Sequence, residues 1–243
     1  MKIFVTGGTG YIGSHTVVEL QKNGYDVIIA DNLVNSSMDV LDGIEKISGI
    51  RPEFEEIDLT DGEVTRDFFA RHSDIRAVIH FAALKAVGES VNKPLEYYFN
   101  NLNSLMNVLT CMREFKVPNL VFSSSCTVYG QADVLPVTEK TPRHEAESPY
   151  GNTKVMSEDI IRDLMRVEPD MKALALRYFN PIGAHPTAFI GELPNGVPNN
   201  LIPYLTQTAI GIREQLSVFG DDYNTPDGSP LRDYIDVVDL AKA

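Results

Sequence analysis

The chain has 243 residues, with 21 lysines and arginines against 34 aspartates and glutamates, which gives a formal net charge of −13. This balance offers no electrostatic reason to bind DNA, RNA or an anionic membrane surface. The two cysteines, Cys111 and Cys126, form neither a CxxC motif nor a cluster with histidines, so we expect no metal site and no disulfide framework. No apolar run approaches the ~20 residues of a membrane span. The N-terminus opens directly into a strand-like segment without a signal pattern, which favours a cytoplasmic protein.

Short β-rich segments alternate with longer segments of helical spacing. The segments predicted as strands are Lys2–Thr6, Tyr25–Asp31, Glu53–Asp58, Ala77–Ala82, Asn119–Ser123 and Ala173–Tyr178. Several of them, such as VIIA and LVFSS, contain no alternation of polar and apolar residues, which is typical of strands that helices cover on both faces. The pattern therefore predicts an α/β fold built on a doubly wound parallel sheet.

The composition changes near residue 180, where proline, glycine and asparagine become frequent. We expect residues 1–179 to form the sheet domain and residues 180–243 to form part of a smaller ligand-covering region, with a helix over Leu201–Glu214. The last segment, Val237–Ala243, has the pattern of the first turns of a helix. This pattern favours a C-terminus that is truncated before the natural end of the domain.

A glycine-rich loop follows the first predicted strand. Gly8, Gly10 and Gly13 form GxGxxG, and Gly7, Gly10 and Gly13 form GxxGxxG. The predicted helix Ser14–Asn23 comes directly afterwards. Glycines let the backbone approach a pyrophosphate closely, and a helix N-terminus offers N–H groups to it, so this order of strand, loop and helix predicts a Rossmann dinucleotide site.

Asp31 ends the second predicted strand, 18 residues after Gly13. A carboxylate in this place accepts hydrogen bonds from the adenosine ribose and repels a 2′-phosphate, which favours NAD over NADP. An alternative is that Asp31 only caps the following loop, which contains Asn32, Asn35 and Ser36. Asp58 ends the third predicted strand in the same manner, although it could serve only a turn.

Tyr150 and Lys154 form a YxxxK motif, whose members share one face of a helix. A tyrosine has a pKa of ~10, so its use as a base near neutral pH requires roughly 4 kcal/mol of preferential stabilisation of the phenolate. An ammonium group one turn away would supply part of it, and a cationic nicotinamide ring would supply more. The alternative is a surface tyrosine and lysine on an amphipathic helix.

Three consecutive serines, Ser123, Ser124 and Ser125, follow the fifth predicted strand. Ligands of parallel sheets bind at the carboxyl ends of the strands, so one hydroxyl here is a candidate partner of the tyrosine. The spacing leaves open which serine points at the substrate.

Eight stretches, which together span nearly the whole chain, resemble the UDP-glucose 4-epimerase family of extended short-chain dehydrogenases/reductases. They are VTGGTGYIGSHT, DNLVNSS, IHFAALKAVGESVNKPLEYY, FSSSCTVYG, SPYGNTK, LRYFNPIGAHP, GVPNNLIPY and LRDYIDVVDLA. Ala83 stands where the family usually has glycine, and family members normally continue well beyond residue 243. The resemblance therefore implies that residues 1–179 bind NAD and that residues 180–243 supply part of a UDP-sugar site.

The resemblance also implies residue roles. Those implied to contact NAD are Gly7, Gly10, Tyr11, Ile12, Gly13, Asp31, Asn32, Asn35, Ser36, Asp58, Leu59, Phe81, Ala82, Lys85, Asn100, Ser125, Tyr150, Lys154 and Phe179. Those implied to be catalytic are Tyr150, Lys154 and Ser125. Those implied to bind the UDP-sugar are Ser125, Tyr150, Asn180, Asn200, Leu201, Phe219 and Arg232.

The implied activity is the interconversion of UDP-glucose and UDP-galactose, by inversion at C4 through a transient 4-keto sugar, in galactose metabolism. Dehydratases and decarboxylases on the same scaffold carry Asp or Glu just after the catalytic hydroxyl, whereas this chain has Cys126 and Thr127, which counts against both. An NAD-binding fragment without activity is a further alternative, because the chain ends early.

The resemblance implies a homodimer of the complete protein, joined through the helix of Tyr150 and a helix near Pro94–Phe115. Both segments are richer in apolar residues than one sheet face requires; these residues are Leu105, Met106, Val108, Leu109, Met112, Val155, Met156, Ile160, Ile161 and Leu164.

Overall fold

A computed structural model describes all residues of the chain, 1–243, and contains a six-stranded sheet in the order β3-β2-β1-β4-β5-β6. Every neighbouring pair is parallel. The sheet therefore confirms the predicted doubly wound α/β fold. Its strands are β1 (Lys2–Thr6), β2 (Asp26–Asp31), β3 (Glu53–Glu56), β4 (Ile75–His80), β5 (Asn119–Ser123) and β6 (Lys172–Leu176).

Eight α-helices accompany the strands, and side-chain caps mark the starts of three of them. Asp61, Ser148 and Asp236 each accept backbone N–H bonds at the N-terminus of α3, α6 and α8 respectively. No helix combines the length and the apolar character needed to cross a membrane. The helices are α1 (Tyr11–Lys22), α2 (Asp39–Ser48), α3 (Gly62–Arg71), α4 (Val87–Asn92), α5 (Pro94–Glu114), α6 (Pro149–Val167), α7 (Leu201–Ala209) and α8 (Val237–Lys242).

The alternation of side chains along β1 divides the core into two layers. Ile3 and Val5 lie in a cluster with Val17 and Val18 of α1, on one face of the sheet. Phe4, between them in sequence, lies in the larger cluster on the other face, which α3, α5 and α6 cover. Successive residues of a strand point to opposite faces, so a continuous apolar run supplies both layers.

The edge strand β6 differs from the expectation that helices cover both faces. Leu174 is 57% exposed, although the sequence KALAL is typical of a buried strand. Leu174 borders an open cavity with Leu20 of α1 and Leu240 of α8, so no helix covers this part of the sheet face. An apolar strand sequence does not reveal how far the helices extend over the sheet.

A second, two-stranded parallel sheet joins β7 (Asn180–Ile182) to β8 (Tyr234–Asp236). Between these strands, α7 ends at Ala209, five residues before the predicted end. After them, Val237 and Leu240 of α8 are buried, and α8 packs against α1 of the large sheet. The boundary at residue 180 stays a prediction.

Four element boundaries near the predicted site differ from the sequence interpretation. Strands β4 and β6 end at His80 and Leu176, each two residues before its predicted end. Helix α1 begins at Tyr11, three residues before the predicted start, so the glycine motif itself forms its first turn. Strand β3 ends at Glu56, so Asp58 does not end the strand. Instead the Asp58 carboxylate accepts hydrogen bonds of 2.9 Å from the backbone and the hydroxyl of Thr60, which is the turn role left open above.

Most of the apolar residues that were predicted to be in excess on α5 and α6 pack into the core of the chain. Leu105, Val108, Leu109, Met112 and Ile161 are buried in the larger core cluster, and Ile160 and Leu164 pack against it. Of the ten residues, Met106 and Met156 are exposed. The helices also expose Leu95 and Phe99, which the prediction from sequence had not included.

Candidate active site

Close packing explains the glycines of the loop between β1 and α1. Gly7 has a φ of +67°, and a Cβ there would lie 2.8 Å from the backbone nitrogen of Ala82. A Cβ on Gly13 would lie 2.3 Å from the carbonyl oxygen of Gly7. The loop can therefore fold onto itself and onto the segment after β4 only with glycine at these two positions.

The same loop presents the N-terminus of α1. Gly10 is the N-cap, with extended backbone, and the N–H groups of Tyr11, Ile12 and Gly13 fall in the first helical turn. These groups have no partner within the helix, and the helix dipole adds positive potential there. The loop from Gly7 to Gly13, which we call the glycine cradle, and these N–H donors fit the pyrophosphate of a dinucleotide.

Asp31 lies at the end of β2, beside the glycine loop. One carboxylate oxygen accepts bonds from the Leu33 backbone at 2.9 Å and from the Ser36 hydroxyl at 3.2 Å, and the other accepts the Thr9 N–H at 3.3 Å. Asp31 therefore orders the following loop, as the alternative interpretation had it. Two carboxylate oxygens offer about four lone-pair positions, so capacity remains for a ribose hydroxyl.

The segment after β4 is tied to β1 through Thr6. The Thr6 hydroxyl lies 2.9 Å from Nδ1 of His80 and accepts the Ala82 N–H at 3.1 Å, while the Phe81 N–H donates to the Thr6 carbonyl at 3.2 Å. Burial lowers the pKa of His80 to about 3, so this histidine is a neutral core residue. The hydrogen bonds to Thr6 place Phe81 and Ala82 against Gly7.

Other residues implied to bind NAD lie around this edge. Leu59 is buried after β3, and Asn100 donates to Asn101 at 3.0 Å. Lys85 forms an ion pair of 3.3 Å with Glu192. Asn32, Asn35 and Phe179 lie in the loops that follow β2 and β6. These residues stay predicted cofactor contacts.

The three serines after β5 have three different partners. Ser123 bonds through its hydroxyl to Tyr178, and its carbonyl accepts the ammonium group of Lys154 at 2.8 Å. The Ser124 hydroxyl donates to a carboxylate oxygen of Glu158 at 2.6 Å. The side chain of Ser125 lies beside the phenol of Tyr150 and lowers its pKa. Of the three serines, Ser125 is therefore the one beside the tyrosine, and its role as the substrate-binding hydroxyl stays a prediction.

Tyr150 is a half-buried residue in the first turn of α6. Burial raises its pKa to about 12, and the Ser125 hydroxyl opposes this rise only in part. Burial also lowers the pKa of Lys154 to about 8. The expectation that Lys154 and a nicotinamide cation together stabilise the phenolate stays a prediction. The ammonium group binds the Ser123 carbonyl and lies 5.8 Å from the centre of the phenol ring.

Sequence reasoning missed Glu158 and Arg177. Glu158 accepts two hydrogen bonds from Arg177, at 2.8 and 2.6 Å, in addition to the one from Ser124. The available signal was the spacing, since Glu158 follows Lys154 by four residues as Lys154 follows Tyr150. This spacing predicts that Glu158 lies on the same helix face as the YxxxK motif. It does not predict that Ser124 is the partner of Glu158.

The residues implied to bind UDP are dispersed over the smaller region. Asn180 begins β7 and donates to the Asp233 carbonyl at 2.9 Å. Asn200 precedes α7 and donates to Glu192 at 2.7 Å, and Leu201 is exposed beside it. Arg232 donates to the Leu231 carbonyl at 2.8 Å, with its charge near Cys126.

Phe219 does not join this set. Its side chain is 98% exposed in the loop between α7 and β8, so it packs against no other part of the chain. Residues 210–233 form no helix or strand that would hold the ring, and the predicted contact of Phe219 with uridine stays a prediction.

Comparisons with known proteins agree with this geometry. A family model described as "NAD dependent epimerase/dehydratase family" matches residues 3–243. The bifunctional protein GAL10 of Pachysolen tannophilus is 55% identical over 244 residues, which cover 99% of this chain and 35% of that protein. The UDP-glucose 4-epimerase of Bacillus subtilis is 54% identical over 242 residues, which cover 100% of this chain and 71% of that enzyme.

A solved structure is also closely similar. The UDP-glucose 4-epimerase from Bifidobacterium longum, in complex with NAD+ and UDP, superposes with a TM-score of 0.97 at 48% identity. The match covers all of this chain and 72% of that one. The chain therefore spans about 70% of the length of these epimerases and about a third of the bifunctional relative.

Proposed function

Because the chain belongs to the NAD dependent epimerase/dehydratase family, we propose that it interconverts UDP-glucose and UDP-galactose with NAD as a retained cofactor. The observation that carries the proposal is the position of the Ser125 hydroxyl beside the Tyr150 phenol. Both lie at the carboxyl end of the parallel sheet, as does the glycine loop. The relatives named UDP-glucose 4-epimerase support the choice of substrate.

The chain has the groups that NAD requires. The glycine cradle and the first turn of α1 would hold the pyrophosphate, and Asp31 would accept a hydroxyl of the adenosine ribose. NAD, when bound, supplies an acceptor and donor of hydride at C4 of the sugar and a positive charge near the phenol.

Tyr150 is the proposed base. Tyr150 stands in the first turn of α6 with its phenol beside the Ser125 hydroxyl, and it would take the proton of the sugar 4-hydroxyl. Burial raises the pKa of the phenol to about 12, and the positive charge of bound NAD would act against this rise. Lys154 ties α6 to the end of β5 through its hydrogen bond to the Ser123 carbonyl. Its bond to the nicotinamide ribose stays a prediction.

The UDP portion is proposed to lie against the smaller region. Amide groups of Asn180 and Asn200 can pair with uracil or phosphate oxygens, and Leu201 lies next to them. The guanidinium of Arg232 can bind a diphosphate through two parallel hydrogen bonds. Its position near Cys126, one residue after Ser125, supports a diphosphate site beside the catalytic serine.

Conversion of the two sugars tests the proposal. The chain is incubated with NAD and either UDP-galactose or UDP-glucose, and products are separated by chromatography. An epimerase produces the same mixture from both sugars, whereas a dehydratase releases a dehydrated keto sugar. We expect the first result, because Cys126 and Thr127 supply no carboxylate for elimination. The absence of any product from both sugars, in a chain that binds NAD, would leave the proposal without support.

We also propose that the protein forms a homodimer through α5 and α6. Leu95, Phe99, Met106 and Met156 are exposed on these helices and form the apolar surface that a second copy would cover. Light scattering of the chain and of Phe99→Glu tests this, and we expect the substitution to shift the mass toward that of a monomer. A monomer mass for the unsubstituted chain at micromolar concentration would contradict the dimer. A cytoplasmic location stays a prediction from the sequence.

A further inference from the structure

Glu158 completes a row on the inner face of α6. It follows Tyr150 and Lys154 at intervals of four residues, so the three side chains lie above one another along the helix. Its side chain is buried, with 7% of the residue exposed, and both carboxylate oxygens accept hydrogen bonds from Arg177. None of the steps described above uses this carboxylate.

The third hydrogen bond of Glu158 leads to the catalytic backbone. The carboxylate accepts the Ser124 hydroxyl at 2.6 Å, and Ser124 is 1% exposed. Ser124 stands between Ser123, whose carbonyl accepts Lys154, and Ser125, whose hydroxyl faces Tyr150. A displacement of Ser124 would therefore move the partners of both catalytic side chains of α6.

Arg177 extends the support to the other side of Ser125. Its guanidinium lies 5.0 Å from the centre of the Tyr129 ring, at the end of the short 3₁₀ helix Cys126–Tyr129. The Glu158–Arg177 pair thus contacts the chain both before and after Ser125. A buried ion pair contributes little net stability, since desolvation opposes the attraction, but it fixes the groups bonded to it in one arrangement.

We propose that Glu158 is a positioning residue, which acts through Ser124 to hold the Ser125 hydroxyl against Tyr150 and the Ser123 carbonyl against Lys154. Its role in turnover rests on the proposed function, whereas the contacts themselves do not. Small displacements of this kind are costly, because a shift of about 1 Å in a reacting geometry lowers rates by up to about 100-fold.

Two substitutions change the same hydrogen bond from opposite ends. Ser124→Ala deletes the hydroxyl without a change of charge, and Glu158→Gln removes the charge. Asp163→Asn is the matched control, because Asp163 is an exposed carboxylate of the same helix that pairs with Arg166, without contact to Glu158 or the serines. Should Glu158→Gln fail to fold, Ser124→Ala still decides the question.

The first measurement is the turnover of UDP-galactose. For Ser124→Ala we expect kcat to fall by about 10- to 100-fold with little change in KM, since a positioning contact acts mainly in the transition state. The double variant should be no slower than the slower single variant, because both substitutions act through the same bond. Asp163→Asn should match the unsubstituted chain. Normal kcat in Ser124→Ala, or multiplicative losses in the double variant, would overturn the proposal.

The second measurement needs neither cofactor nor substrate. The pKa of Lys154 is followed by NMR of the lysine side chains, with Lys154→Met for assignment. A hydrogen bond to the ammonium favours the charged form, so a looser Ser123 carbonyl should lower this pKa below its value in the unsubstituted chain. The other titratable groups near Lys154 are Tyr150, His80 and Glu158, and Ser124→Ala alters none of them, so this measurement uses that variant and not Glu158→Gln. An unchanged Lys154 pKa in Ser124→Ala would overturn the proposal even if the chain proved not to be an epimerase.

Discussion

Lys154 donates a 2.8 Å hydrogen bond from its ammonium group to the backbone carbonyl of Ser123. The bond joins the middle of α6 to the end of β5 and leaves the charge over the Phe122 ring, 4.9 Å from its centre. The residue is 4% exposed, and burial lowers its pKa from 10.5 to about 8. Lys154 therefore binds its proton less tightly in the folded chain than in the unfolded chain.

This burial predicts a pH dependence of stability. As the pH rises through the window from about 8 to 10.5, the unfolded state binds more protons at this lysine than the folded state, so the free energy of unfolding rises. The gain is about 3 kcal/mol, and it should be absent from Lys154→Met. Denaturant titrations of both chains across this window measure it. Lys140→Met, at an exposed lysine, should keep the gain, and parallel curves for the chain and Lys154→Met would contradict it.

Tyr150→Phe should abolish turnover while leaving the cofactor site intact. The substitution removes the hydroxyl that would take the sugar proton, and general bases contribute about 100- to 10,000-fold to rate. NAD affinity by calorimetry should stay unchanged, because the glycine loop is not touched. Tyr25→Phe, at the opposite edge of the sheet, is the control and should retain activity. A Tyr150→Phe chain that kept most of its activity would remove Tyr150 from the role of base.

Asp31→Asn should weaken the binding of NAD and reduce the preference of the chain for NAD over NADP. Asparagine keeps an oxygen for the Leu33 N–H, so the loop should stay ordered while the charge that repels a 2′-phosphate is lost. A hydrogen bond to a charged group corresponds to roughly tenfold or more in affinity. Calorimetry with each cofactor measures the ratio, with Asp26→Asn at the other end of β2 as control. An unchanged ratio would mean that Asp31 serves only the loop.

Gly13→Ala should disrupt the phosphate site. The new Cβ would lie 2.3 Å from the Gly7 carbonyl oxygen and 2.8 Å from Cα of Gly8, and backbone atoms cannot move aside as a flexible side chain can. We expect a loss of about 1–3 kcal/mol in stability and weaker NAD binding. Gly88→Ala in α4, where a Cβ meets no atom within 4 Å, is the control. Thermal unfolding and calorimetry check both, and equal behaviour of the two variants would refute the close packing.

How far the sequence could be interpreted depended on distance along the chain. The glycine loop, Asp31 and the YxxxK pair were found because each lies within one strand, turn or helix, whose geometry sets the spacing of its residues. The parallel sheet followed from the alternation of the segments. The bounds of β1 and β5 agree with the prediction, whereas α1 begins earlier because its first turn is formed by the glycine motif itself.

The tertiary structure alone decided which partners distant residues have. Ser124 and Glu158 are 34 residues apart and meet only because α6 packs over the end of β5. The same packing assigns Ser123 to Lys154 and Ser125 to Tyr150, and it buries the phenol enough to raise its pKa to about 12. Local spacing determined which residue types stand on one face of an element. Burial and the contacts between elements determined what each of them can do, because desolvation and hydrogen-bond partners depend on the whole fold.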